Sequence, residues 1–63
     1  MNMNRYLRAW REYLGLTQVE LAEKAGITQA ALSQMEIGAS RLRKATRQKL
    51  ALAMGIHSEQ LDH

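Results

Sequence analysis

Residues 17–38 read TQVELAEKAGITQAALSQMEIG, and no other segment constrains the fold as tightly. Apolar or small side chains at Leu21, Ala22, Ala25, Ile27, Leu32 and Met35 recur at helical spacing on either side of Gly26. A backbone that turns with positive φ strains any residue bearing a Cβ, so a glycine between two such patterns marks a corner. Thr17 with Glu20 three residues later makes a capping box, which starts the first helix of the pair. Thr28 caps the second, expected over 29–37 and stopped by Gly38. The connection is only about three residues long, so the two axes must cross steeply. Ala22 lies where they approach most closely, and a larger side chain there would force them apart.

The flanking sequence reads as helices that support this pair. A first helix is expected over 4–14, capped by Asn4 and ended by Gly15. Leu7, Trp10 and Leu14 form its buried stripe, while Arg8 and Glu12 face out. After a loop at Ala39, Ser40 and Arg41, a fourth helix is expected over 42–54, with Gly55 as its stop. Leu42, Ala45 or Thr46, Leu50, Ala53 and Met54 make a thin inner stripe for it. Ser58 caps a last turn over 59–61 that folds Ile56 and Leu61 back on the bundle. With no Pro, no Phe and four Gly, helices can run uninterrupted and strands are disfavoured. The expected architecture is all-α: a compact five-helix bundle forming a single domain over 1–63. A domain this small buries only about 60% of the surface its unfolded chain exposes, so it is marginally stable without a partner.

Several function classes fall away on composition. There is no Cys, hence no disulfide, thiolate zinc site or thiol nucleophile. His57 and His63 lack partner ligands, so no metal is expected. No Ser-His-Asp set, carboxylate dyad or phosphate loop can be assembled, and the chain is expected to be neither an enzyme nor a cofactor carrier. Apolar runs last only a few residues, too short for a membrane span. The segment MNMNRYLRAWR lacks the apolar core of a secretory signal, which makes the cytoplasm the expected location. The formal charge is +3, and five of the nine Lys and Arg fall within 41–49 with no acid among them. Such a run suits phosphates, or else forms a solvated helix face.

Together, LRAWREYLGLTQVELAEKAGITQAALSQMEIG and the later KLALAMGIHSEQL resemble the lambda-repressor-like helix-turn-helix domains of the Cro/repressor, or XRE, type. The resemblance runs from about residue 7 to 61. It implies a sequence-specific regulator of transcription that lays the helix after Gly26 in the major groove of double-stranded DNA. Gln29, the first residue of that helix, would reach base edges, since a primary amide donates and accepts together and suits adenine N6 and N7. Ser33 and Gln34 complete the outward face, and Ala30 offers only a methyl group, able to contact a thymine methyl. Gln18 would brace against the DNA backbone and steady the glutamine of the next helix, at a helix start whose free N–H groups favour phosphate. Thr28 would touch phosphate while capping. Arg41, Arg43, Lys44 and Arg47 follow where relatives contact the flanking backbone. The chain departs from the family pattern here, because many members carry Pro in this loop and leucines where Lys44 and Arg47 stand. Arg11 and Glu36 match an ion pair that ties the first helix to the end of the third. The resemblance supplies that pairing, and spacing alone does not.

One recognition helix reads only about four or five base pairs, too few to select a site in a genome. The resemblance therefore implies a homodimer on a palindromic operator with half-sites about 34 Å apart, repressing by occupying a promoter. Met54, Ile56 and Leu61 are its candidate dimer surface. The alternative is an antitoxin-like or bridging protein that holds a protein partner, for which Ile37, Ala39 and Leu42 would form an apolar patch beside the reading face. An RNA-binding module is less favoured, because Tyr6, Trp10 and Tyr13 all lie in the first helix and none is interleaved with the cations.

Overall fold

A computed structural model describes residues 5–61, so Asn4, the expected first cap, and His63 lie outside the described residues. The elements are α1 (Arg5–Tyr13), α2 (Gln18–Ala25), α3 (Gln29–Glu36), α4 (Lys44–Met54) and a 3-10 turn (Ser58–Leu61). The fold is all-helical over these residues, with four α-helices and a closing turn in place of five helices. The last segment spans only four residues, which accommodates the tighter i→i+3 turn but no run of α-helical bonds. Its cap also differs from expectation. The His57 N–H donates to Gln60 Oε1 at 2.9 Å, and Ser58 lies inside the turn.

Each element contributes one fully buried leucine: Leu7, Leu21, Leu32, Leu50 and Leu61. Burying each contributes about 1.5–3 kcal/mol. Ala22, Ala25, Met35, Ala51 and Met54 fill the space between them. In α1 the buried position after Leu7 belongs to Arg11, one turn on, with Trp10 half-buried, while Leu14 lies past the helix end and is 40% exposed. In α4 the inner stripe is Leu50, Ala51 and Met54, with Ala53 and Thr46 half-buried and Ala45 exposed. The helix begins two residues later than expected, at Lys44, so Leu42 reaches the core from the preceding loop. Met54 and Leu61 belong to the monomer's own core, and of the three candidate dimer residues only Ile56 keeps partial exposure. No helix among the described residues is long and apolar enough to cross a membrane.

Local chemistry sets the corner. Thr17 Oγ1 accepts from the Glu20 N–H at 3.1 Å, and Glu20 Oε1 accepts from the Thr17 N–H at 2.8 Å. The second bond, with help from the hydroxyl, holds the Glu20 carboxyl below the usual carboxylate pKa. Gly26 closes α2 in the left-handed region at φ 73°, and the Ile27 N–H returns to the Ala22 carbonyl at 3.0 Å. Thr28 Oγ1 then accepts from the Ala31 N–H at 3.1 Å and starts α3 immediately. Because α2 packs on both α3 and α4, the corner dictates where α3 points.

Candidate nucleic-acid interface

Leu32 and Met35 bury the inner flank of α3 against α2, which leaves the opposite flank in solvent. Gln29, Ala30 and Gln34 are exposed there, with half-buried Ser33 at the edge and exposed Thr28 at the cap. Their order along the helix puts one primary amide at the first turn and another five residues on. Such a flank offers paired donors and acceptors and one methyl group, with no charge.

Behind this flank runs a continuous chain of polar contacts. Arg11 Nε donates to Glu36 Oε2 at 2.6 Å, and Arg11 Nη2 donates to Glu36 Oε1 at 3.1 Å. Arg11 Nη1 donates to the Leu16 carbonyl at 2.8 Å, tying α1 to the entry of α2. The two side chains are 10% and 2% exposed, so this is a buried ion pair. The hydrogen bond to Glu36 raises the Arg11 pKa above its already high ordinary value, against the opposing effect of burial. Glu36 Oε1 also accepts from Gln18 Nε2 at 3.0 Å, and Gln18 Oε1 accepts from Gln29 Nε2 at 3.5 Å. The path therefore leads from inside the bundle to an exposed amide on α3. The resemblance implies the Arg11–Glu36 and Gln18–Gln29 pairs separately, and neither it nor the spacing supplies the Gln18–Glu36 bond that joins them.

Arg41, Arg43 and Lys44 are exposed, and Arg47 is half-buried with its Nε enclosed and without a hydrogen-bond partner. None of the four pairs with a carboxylate among the described residues. Arg43 sits at the N-cap of α4 in extended conformation with no side-chain cap bond, and the first turn of α4 carries no acid. Free N–H groups, the positive end of the helix and uncompensated cations thus occupy one short stretch of chain. Lys49 instead lines a shallow groove with Lys24, Ala25, Leu52 and Ala53. Ile37 is 58% exposed, Ala39 is exposed, and Leu42 is half-buried against the core. Among the described residues no three His, Asp or Glu side chains converge on a common point.

The helix-turn-helix family profile matches residues 7–61. The fold is similar to the restriction-modification controller protein C.AhdI from Aeromonas hydrophila, at 29% identity and a TM-score of 0.89, over 92% of this chain and 88% of that one. It is similar to the clp gene regulator ClgR from C. glutamicum at 26% identity and a TM-score of 0.87, over 92% and 75% of the two chains. SinR, a master regulator for biofilm formation crystallised in complex with DNA, shares the fold at 24% identity and a TM-score of 0.86, over 92% and 94%. No curated protein sequence matches the chain. A capped, glycine-turned helix pair set on a small helical core, with a family match over nearly the whole length, leads to one conclusion: the chain belongs to the helix-turn-helix family, in its XRE type.

Proposed function

We propose that this chain is a sequence-specific double-stranded DNA-binding regulator of transcription, a repressor acting as a homodimer on a palindromic operator. The observation that carries the reading is the outer flank of α3, with Gln29, Ala30 and Gln34 in solvent while Leu32 and Met35 lock the helix from behind. C.AhdI is a controller protein and ClgR a gene regulator, at 29% and 26% identity, and both names agree with it. In the complex α3 enters the major groove amide first. The Gln29 amide pairs with adenine N6 and N7, Gln34 and Ser33 reach neighbouring edges, and Ala30 meets a thymine methyl. Gln18 and Thr28 take the phosphates beside the groove. Arg41, Arg43, Lys44 and Arg47 take phosphates further along and displace counterions. Two copies about a two-fold axis double the sequence read.

Selection from randomised duplexes, with stoichiometry measured on the winners, tests this reading. The expected result is a two-fold symmetric site bound by two chains, with half-site centres about 34 Å apart. Gln29→Ala should erase preference at one base pair per half-site, worth about 1–3 kcal/mol, without changing the salt dependence. Equal loss on every sequence contradicts the base-reading role. A second reading rests on Ile37, which is 58% exposed beside Ala39: an antitoxin-like or bridging protein whose main task is to hold another protein. Co-purification with a stoichiometric second protein, without any enriched duplex, would favour it.

A further inference from the structure

We infer that Glu36 is a positioning residue for sequence discrimination: through Gln18, its carboxylate decides which end of the Gln29 amide faces a base. The inference rests on the reading of Gln29 as a base contact and goes beyond it, because Glu36 itself is 3% exposed and lies behind the reading face.

The argument follows donors and acceptors along the chain of contacts. An ionised carboxylate only accepts, and two hydrogen bonds from Arg11, at 2.6 Å and 3.1 Å, fix that of Glu36 in place. Gln18, 3.0 Å from Glu36 Oε1, must therefore turn its NH₂ group inward. Its carbonyl then faces Gln29, which must answer with an N–H, as it does at 3.5 Å. One Nε2 proton of Gln29 is thereby committed. In the inferred arrangement the committed proton is the one anti to Oε1, and the other stands free beside that oxygen. Donor and acceptor now stand together at the exposed end, the complement of adenine N7 and N6. Without the carboxylate either amide can rotate by half a turn at little steric cost, since oxygen and NH₂ are similar in size. A rotated Gln29 gives its oxygen to Gln18 and points NH₂ outward. That end suits the acceptor-only edge of guanine. A buried charge in the interior of the bundle thus selects between purines that it never touches.

The test compares wild type with Glu36→Gln, Gln18→Met, Gln29→Ala and the Glu36→Gln/Gln29→Ala double variant. Each is titrated with the selected duplex and with duplexes changed at single base pairs. The pair under Gln29 is the one at which Gln29→Ala erases preference. The expected result is that Glu36→Gln and Gln18→Met each cut adenine-over-guanine discrimination at that pair by roughly tenfold. Discrimination elsewhere and the salt slope stay unchanged, and Glu36→Gln adds nothing in the Gln29→Ala background. Intact adenine-over-guanine discrimination at that pair, with or without a loss of affinity common to every duplex, overturns the inference. If Glu36→Gln does not fold, Gln18→Met leaves the Arg11–Glu36 pair intact and carries the same expectation. Should Gln29→Ala erase no preference at all, the base-reading role fails, and NMR of the free chain decides the relay separately. In Gln18→Met the two Gln29 side-chain amide protons should then move to the values of a free glutamine, and unmoved resonances overturn the relay.

Discussion

Replacing Glu36 by Ala is expected to cost about 3–5 kcal/mol of folding stability, a large share of the total for so small a domain. Among the described residues its carboxylate is the one that forms an ion pair with Arg11, and the two side chains are just 10% and 2% exposed. Truncation leaves the guanidinium enclosed with the Leu16 carbonyl as its remaining acceptor. The cost arises from this stranded charge rather than from the net worth of the pair. A double replacement, Arg11→Met with Glu36→Leu, should for that reason recover most of the loss, because neither charge is left behind. Arg8 and Glu12 supply the internal contrast. They pair at 3.0 Å on α1 with side chains 61% and 54% exposed, so Arg8→Ala should cost only about 0–1 kcal/mol. Thermal melting followed by circular dichroism reads all three variants, at about 4–8 °C for each kcal/mol in a domain of this size. A Glu36→Ala chain melting within a few degrees of wild type contradicts the assignment.

Neutralising Arg41, Arg43, Lys44 and Arg47 together as glutamines should flatten the salt dependence of DNA binding. Each phosphate contact adds about 0.9 to the slope of log affinity against log salt, so four contacts account for a decrease of about 3–4. Between 50 and 200 mM salt, that difference alone corresponds to roughly a hundredfold change in affinity. The four side chains have no carboxylate partner among the described residues, so no described carboxylate competes with phosphate for them. Glutamine keeps helix propensity at Lys44 and Arg47 and retains part of the stem that Arg47 packs against the bundle. All duplexes should lose affinity alike. An unchanged slope removes these residues from the interface, and a loss confined to particular base pairs makes them base readers instead.

What could be read in advance followed from local physics. The Thr17–Glu20 box and the Gly26 corner depend on residues a few positions apart, and both stand where their chemistry requires. Alanine offers little contrast between inside and outside, so the apolar pattern admits Ala45 or Thr46 to the α4 stripe and passes over Ala51. A pattern search that counts apolar residues passes over Arg11 and selects Leu14, since it cannot see that a charge will meet a carboxylate 25 positions away. The Gln18–Glu36 bond spans 18 positions and leaves no periodic trace. Met54 and Leu61 show a different limit. Apolar residues near the end of a small chain fit a partner's surface or their own core equally well as letters, and here the core takes both.

Backbone amide shifts recorded while a selected duplex is added at low ionic strength test the central claim most directly, because they locate the contact surface without any substitution. The account predicts the largest changes at Gln18, at residues 28–34 and along 41–47, with the outer face of α1 around Tyr13 and the exposed Leu52 unaffected. Changes concentrated on Tyr13 or Leu52, or none at all, would contradict it.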